Sequence, residues 1–177
     1  MKNLSTIVRL AIVSVISFAP SLGFAASATT TSTATVITPI AITKAADLVF
    51  GDFAAGAGGD VTVATNGART ATGAILSTAG ATPTAAKFDV TGNANSTYSI
   101  STSAAASLSD SATTPNTMAL TVFSDLTGGG ATTGAASSGT LSAGGTQSVY
   151  LGGTLTVGAT QVAGTYTGDV TITVEYN

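Results

Sequence analysis

The chain of 177 residues contains no cysteine, no histidine and no tryptophan, and only 7% of its residues are charged. Without cysteine it can form no disulfide, and without histidine it lacks the most frequent general base and metal ligand of enzymes. A Ser/His/Asp or Cys/His catalytic arrangement and a zinc site of the Cys/His type are therefore excluded. We expect no enzyme activity, no cofactor and no metal site.

The few charges do not suit nucleic-acid binding either. After residue 25 the chain has three cations against eight acids, a balance of −5. Binding a phosphate backbone needs clustered basic side chains, but these cations are scattered at Lys44, Arg69 and Lys87. Asp47, Asp52 and Asp60 are close in sequence but lack the one-three-five spacing of a calcium loop. We interpret the acids as solvated loop residues and expect no nucleic-acid partner.

The first 25 residues have the pattern of a secretory signal peptide. A positively charged start precedes the apolar run at residues 10–19, and Gly23-Phe24-Ala25 places small residues three and one positions before a cleavage site. The run is shorter than the roughly 20 residues of a membrane-spanning helix. We predict cleavage after Ala25, with Ala26-Ser27-Ala28 as an alternative site, and no membrane span in the mature chain. The predicted location is the periplasm in transit, then the cell surface or extracellular space.

Apolar and polar residues alternate with the period of two that is typical of β-strands. The clearest case is GTYTGDVTITVEYN at residues 164–177. One face of this stretch, which we expect to serve as core or assembly surface, carries Tyr166, Val170, Ile172, Val174 and Tyr176. No segment shows the three-and-four spacing of an amphipathic helix. Roughly eight or nine short strands separated by turn residues predict an all-β fold, an immunoglobulin-like antiparallel β-sandwich.

Some turns and breaks can be assigned within this pattern. Asn66-Gly67 predicts a hairpin with a two-residue type I′ turn. Gly152-Gly153 is predicted to separate two strands, at residues 147–151 and 154–157. Residues 125–145 are rich in Gly, Ser, Ala and Thr, which predicts a long mobile excursion around one short strand at residues 139–142.

The residues after the predicted cleavage site fall into two parts. Residues 26–33 are small and polar and predict a flexible leader, and residues 34–177 are predicted to form a single β-sandwich domain. Residues 34–43 form an extended segment that could be donated to a neighbouring copy by β-strand addition. Its in-phase apolar residues are Val36, Ile40 and Ile42. Pro39 cannot donate to a ladder, so the alternative, a first strand of the chain's own domain, stays open.

Six short motifs are distributed along the chain: ATVITPI at 34–40, LVFG at 48–51, FDVTG at 88–92, YSI at 98–100, GGTL at 152–155 and AGTYTG at 163–168. Through these motifs the chain from about residue 34 to residue 176 resembles a bacterial family known as domain of unknown function 4402. The family has no assigned activity, so it implies no catalytic or binding residue.

The terminal strand is also similar to the closing strand of chaperone–usher pilins and of spore-coat-U-like secreted proteins. Those proteins likewise end in an alternating strand after a Gly-x-Tyr start, with a tyrosine next to last. This resemblance implies a pilin-like sandwich that lacks one strand, which a neighbour's N-terminal extension supplies. The implied partners are copies of the chain or related subunits, together with a periplasmic chaperone and usher. Pilins of that class often carry a disulfide, which this chain lacks.

Two functions follow from these patterns. The first is an exported structural subunit of a bacterial surface filament, fimbria or coat, assembled by β-strand addition. The alternative is a monomeric secreted binding module or adhesin, and the two differ in whether the protein assembles or stays a monomer.

Overall fold

The computed structural model of the chain describes residues 23–104 and 107–177, so the predicted signal peptide lies almost entirely outside the described residues. The described part contains twelve strands and no helix. The strands are β1 (Ala41–Ala46), β2 (Phe53–Ala54), β3 (Gly59–Val63), β4 (Arg69–Thr72), β5 (Ile75–Leu76), β6 (Ala86–Thr91), β7 (Thr97–Ala104), β8 (Ser107–Ser109), β9 (Thr117–Asp125), β10 (Ser138–Thr140), β11 (Thr146–Val157) and β12 (Val170–Tyr176). The chain divides into an N-terminal part, Met1–Thr35, and a compact unit, Val36–Asn177.

The larger sheet is built around β11, its longest strand. β6 pairs with the first half of β11 and β3 with the second half, while β9 pairs with residues 150–156, which overlap both halves. A strand has only two edges, so β6 and β3 lie end to end along one edge and β9 occupies the other. β1 extends the sheet beyond β6, β4 beyond β3, and β8 beyond β9, always antiparallel.

The smaller sheet has three antiparallel strands in the order β10-β7-β12. Its inward side chains, including Tyr98, Ile100 and Ile172, share a buried cluster with Val90 and Leu151 of the larger sheet. A second cluster extends over the rest of the larger sheet around Val61, Val63, Leu120, Leu155 and Val157. Two sheets that face each other across an apolar interior confirm the predicted all-β antiparallel sandwich.

The predicted break at Gly152-Gly153 is wrong, because β11 runs unbroken through both glycines. The reason is steric. A Cβ at residue 152 would lie 2.3 Å from the Phe123 ring and 2.4 Å from the Val63 carbonyl oxygen. Gly152 therefore lets Phe123 cross the strand from neighbouring β9, and the glycine marks close packing instead of a turn.

The hairpin predicted at Asn66-Gly67 is confirmed, since β3 and β4 pair antiparallel on either side of it. The predicted two-residue type I′ turn is wrong. Asn66 does not adopt a positive φ, whereas Gly67 has φ of +83°. The Gly67 N–H donates to the Ala64 carbonyl (2.8 Å), and the Ala64 N–H donates to the Ala68 carbonyl (2.8 Å). This is a three-residue loop with glycine at its left-handed position.

The excursion between β9 and β11 contains the expected short strand, β10. The start of the excursion is fixed by the Asp125 carboxylate. This carboxylate accepts hydrogen bonds from the Thr65 hydroxyl (2.6 Å) and from the N–H groups of Thr127, Gly128 and Gly129 (3.0, 2.6 and 3.1 Å). Burial alone would raise the pKa of Asp125, but these donors outweigh it and the pKa is lowered. The carboxylate thereby ties the excursion to the β3–β4 hairpin.

Candidate assembly surface

β12 presents the alternation that its sequence predicts. Ile172 is buried, and Val170, Val174 and Tyr176 are half-buried against the core of the sandwich. Asp169, Thr171 and Thr173 are exposed. The strand therefore has one apolar face that helps to close the sandwich and one polar face toward solvent.

One edge of β12 is paired and the other is free. The Asn177 N–H donates to the Thr97 carbonyl (3.3 Å), and the register continues antiparallel from Tyr176↔Tyr98 to Val170↔Ala104. In an antiparallel ladder only alternate residues bond the neighbouring strand, so the odd-numbered residues of β12 bond β7. The N–H and C=O groups of the even-numbered residues point away from β7: Val170, Ile172, Val174 and Tyr176. Among the described residues no strand pairs with this edge.

The tyrosines at the two ends of the terminal segment fix its position. The Tyr176 hydroxyl accepts a hydrogen bond from the Asn93 N–H (2.5 Å) and donates one to the Thr38 carbonyl (2.8 Å). The Tyr166 hydroxyl donates to the Val162 carbonyl (2.7 Å) and accepts from the Gln161 side chain (2.8 Å). Both rings pack on core clusters, so the predicted assembly or core residues do contact the interior.

An apolar groove of about 710 Å³ opens at the Val170 end of β12. One flank is residues 47–55, which follow β1, and the other is residues 161–168, which lead into β12. Its floor is formed by buried side chains of the larger sheet and its neighbours: Phe50, Leu108, Met118, Leu120, Leu155 and Val157. The first core cluster is thus flanked here by residues 47–55 and 161–168, and Val170 of β12 packs against it from the smaller sheet.

Arg69 holds the first flank of this groove in place. Its guanidinium donates to the carbonyls of Phe50 (2.8 Å), Asp52 (3.1 Å) and Ser77 (2.6 Å). Gly51 has φ of +69°, and a Cβ there would lie 2.6 Å from the Arg69 nitrogen. The planar guanidinium with its several fixed donors suits this bridging of three carbonyls. One of the three cations after residue 25 therefore shapes the groove.

The predicted donor residues lie in different environments. Val36 is 96% exposed, and it precedes the first strand. Ile40 and Ile42 are half-buried against the second core cluster, and Ile42 lies in β1, opposite Val90 of β6. The structure thus brings Ile40 and Ile42 together with Val174 and Tyr176, but leaves Val36 apart.

A second cavity, of about 560 Å³, is polar. It lies on β6 and β11, and its lining includes Asp89, Gln147, Ser148 and Tyr150. The Asp89 carboxylate accepts a hydrogen bond from the Ser148 hydroxyl (2.8 Å) and forms an ion pair with Lys87 (3.1 Å). These two contacts together lower the pKa of Asp89. These contacts satisfy the carboxylate within the sheet surface.

Within residues 23–104 and 107–177, no three histidine, cysteine, aspartate or glutamate side chains are grouped so that they could hold a metal ion. In the same residues no helix has the length and apolar character needed to cross a membrane.

The fold and surface define a class, an all-β sandwich whose small sheet ends in an open-edged strand. Within that class the family model described as "Domain of unknown function (DUF4402)" matches residues 40–176. The match covers more than half of the chain, so the protein belongs to this family, which confirms the resemblance seen in its sequence. A search among curated proteins gives no match to the chain. The likeness to pilins and spore-coat-U-like proteins stays a prediction.

Sequence reasoning found the strand but missed the groove beside it. Leu108 lies in a three-residue strand within a serine- and alanine-rich stretch, so no periodic pattern marks it. Leu48 and Phe50 are apolar neighbours whose partners are distant in sequence. The one available signal was Arg69, a rare charge placed directly after a hairpin turn.

Proposed function

We propose that the protein is an exported structural subunit of a bacterial surface filament, fimbria or coat, assembled by β-strand addition. The observation that carries this proposal is the free edge of β12. Unpaired N–H and C=O groups along a regular strand form a template for another strand. Soluble monomers usually protect such edges with charge or proline, whereas this strand and the residue before it carry only Asp169 and Glu175.

A monomeric secreted binding module is the second candidate, and one observation favours it. β1 pairs with β6 over Ala41–Ala46, so part of the segment considered as a donor belongs to the chain's own sandwich. A domain that completes its larger sheet in this way has less need of a neighbour. The two candidates differ in what the free edge of β12 does.

The test is a proline placed at the free edge. Val174 directs its N–H away from β7, so Val174→Pro removes a donor from the free edge and leaves the ladder to β7 intact. Val174→Ala is the matched control, because it also shortens the side chain but keeps the N–H. Both variants are expressed in the producing cells and compared with the unaltered protein. Electron microscopy shows whether surface assemblies form, and the size of the material that heating releases from the cell surface is measured for each variant.

If the proposal is right, Val174→Pro accumulates as a monomer while Val174→Ala assembles like the unaltered protein. Circular dichroism of both purified variants verifies that the sandwich is folded. Equal assembly of the two variants, or a monomer from the unaltered chain in producing cells, would overturn strand addition at β12 and favour the binding module.

A further inference from the structure

We infer that the apolar groove beside β12 is the docking site for residues 29–38 of a second copy of this chain. The inference rests on the proposed function and deepens it, because it names the occupant and the surface that receives it. It also narrows the predicted donor, since Ile40 and Ile42 stay in their own sandwich and Val36 becomes the residue that inserts.

The groove has the character of a site for an uncharged strand. Its floor is apolar, and the charged residues along it are Asp47 and Asp52, both exposed at the rim. The free edge of β12 begins at Val170, which itself lines the groove. A strand entering the groove could therefore bury apolar side chains and hydrogen-bond the edge of β12 at the same time, which is how strand addition combines affinity with specificity.

The proposed occupant has the composition of a strand but forms none in its own chain. Eight of the ten residues from 29 to 38 are threonine, valine or isoleucine, the β-branched types that favour strands. All ten are exposed and none is assigned to a strand, and Val36 is 96% exposed. No charge occurs between residues 26 and 40, which matches the uncharged floor of the groove.

The position of Thr38 favours a second copy over the chain's own groove. The Tyr176 hydroxyl bonds the Thr38 carbonyl, so the segment joins the sandwich at the C-terminal end of β12. The groove lies beyond the other end, which is about 20 Å away along the strand. To fill it, the segment would have to reverse direction at Thr38, next to Pro39. A neighbouring copy can receive it without reversal, since fifteen extended residues from 26 to 40 span about 50 Å.

The test uses the absence of cysteine, which makes any introduced thiol unique. One chain carries Val36→Cys and a second carries Val162→Cys, at an exposed position on the groove. The control partner carries Ser101→Cys, which is exposed in the middle strand of the smaller sheet. Mixed full chains are treated with a short bismaleimide, and mass spectrometry of the peptides counts the 36–162 and 36–101 links, which can form only between chains.

We expect the 36–162 link to exceed the 36–101 link about tenfold, because docking raises the local concentration of the two thiols. In a second arm Val36→Asp should reduce assembly in producing cells. Thr31→Asp introduces the same charge, but in an extended strand residue 31 lies on the face opposite to residue 36, so it should reduce assembly less. Equal yields of the two links overturn the inference. If those yields are equal while Val174→Pro still abolishes assembly, strand addition at β12 stands and only the assigned occupant is wrong.

Discussion

At the scale of single residues, polar side chains join parts of the chain that are far apart in sequence. Asp125 and Thr65 are the clearest pair, because the carboxylate accepts a hydrogen bond from the Thr65 hydroxyl. The oxygen of that hydroxyl in turn accepts hydrogen bonds from the N–H groups of Gly130 (3.2 Å) and Ala131 (2.8 Å). Nothing in the local pattern around either residue indicates the partner. Composition predicted a mobile excursion here, whereas the contacts define an ordered turn at its start.

The Asp125 contacts predict an acid-dependent stability. Its pKa is lowered in the folded state, so its stabilising effect is fully present above the unfolded value near 3.8 and is lost as pH falls through the lower folded value. We expect Asp125→Asn to lower the free energy of unfolding at pH 7, and the difference from the unaltered protein to shrink below about pH 4. Urea unfolding at pH 7, 5 and 3 measures it. A difference that is constant with pH would contradict the assignment.

Two tyrosines predict opposite effects of removing a hydroxyl. The Tyr98 hydroxyl is buried without a hydrogen-bond partner in the described chain, whereas that of Tyr176 has two. A buried polar group without a partner costs stability, and an N–H that loses its acceptor costs about 1–3 kcal/mol. We expect Tyr98→Phe to leave the melting temperature unchanged or raise it, and Tyr176→Phe to lower it. Equal losses in thermal unfolding would contradict this pair.

At the scale of the elements, the period of two predicted most strands, because each strand of a sandwich has one side in the core. β12 follows this rule from Val170 to Tyr176. The rule failed where packing between strands overrode local preference. Gly152-Gly153 was interpreted as a break between two strands, but Gly152 is required by Phe123, which lies on a different strand, and a Cβ at Gly153 would lie 3.1 Å from both Leu120 and Phe50. Such cross-strand requirements cannot be recognised before the strand order is known.

The close approach at Gly152 predicts a strong effect of adding one methyl group. Gly152→Ala would push against the Phe123 ring and the Val63 carbonyl, both in neighbouring strands. Overpacking of this kind costs about 1–3 kcal/mol. The matched control is Gly144→Ala, where the nearest atom to the added Cβ is 3.6 Å away. Denaturant unfolding should show the loss for Gly152→Ala alone, and equal stability of both variants would argue against the packing described for β11.

The two faces of β12 predict different tolerance to charge. Ile172 is buried and Thr171, its neighbour on the other face, is exposed. Ile172→Asp loses about 1.5–3 kcal/mol of burial and places a carboxylate in the core, out of a typical domain stability of about 5–15 kcal/mol. We expect it to abolish soluble accumulation, while Thr171→Asp is tolerated. The soluble fraction on expression measures this, and equal tolerance would mean that the strand is not part of the core.

At the scale of the whole molecule, the fold class could be predicted from sequence and the strand order could not. Alternation indicates that a strand has a buried face, but not which strand it faces. The sequence of β11 therefore does not indicate that this strand pairs with three others, and the sequence of β12 does not indicate that it pairs with one. The candidate surface was predictable to the same extent: the residues of β12 were recognised, while the groove depends on two segments far apart in sequence, one of which Arg69 holds in place.

Removal of the N-terminal segment on export would change the length of the whole molecule. The charged start, the apolar run and the small residues at 23 and 25 predict removal of residues 1–25. We expect protein recovered from the periplasm or the culture medium to begin at Ala26, which leaves residues 29–38 as part of a fourteen-residue segment ahead of Ile40 and β1. Intact-mass measurement checks this directly. A chain that keeps residues 1–25 would contradict the prediction, and a start at residue 29 would assign cleavage to the alternative site.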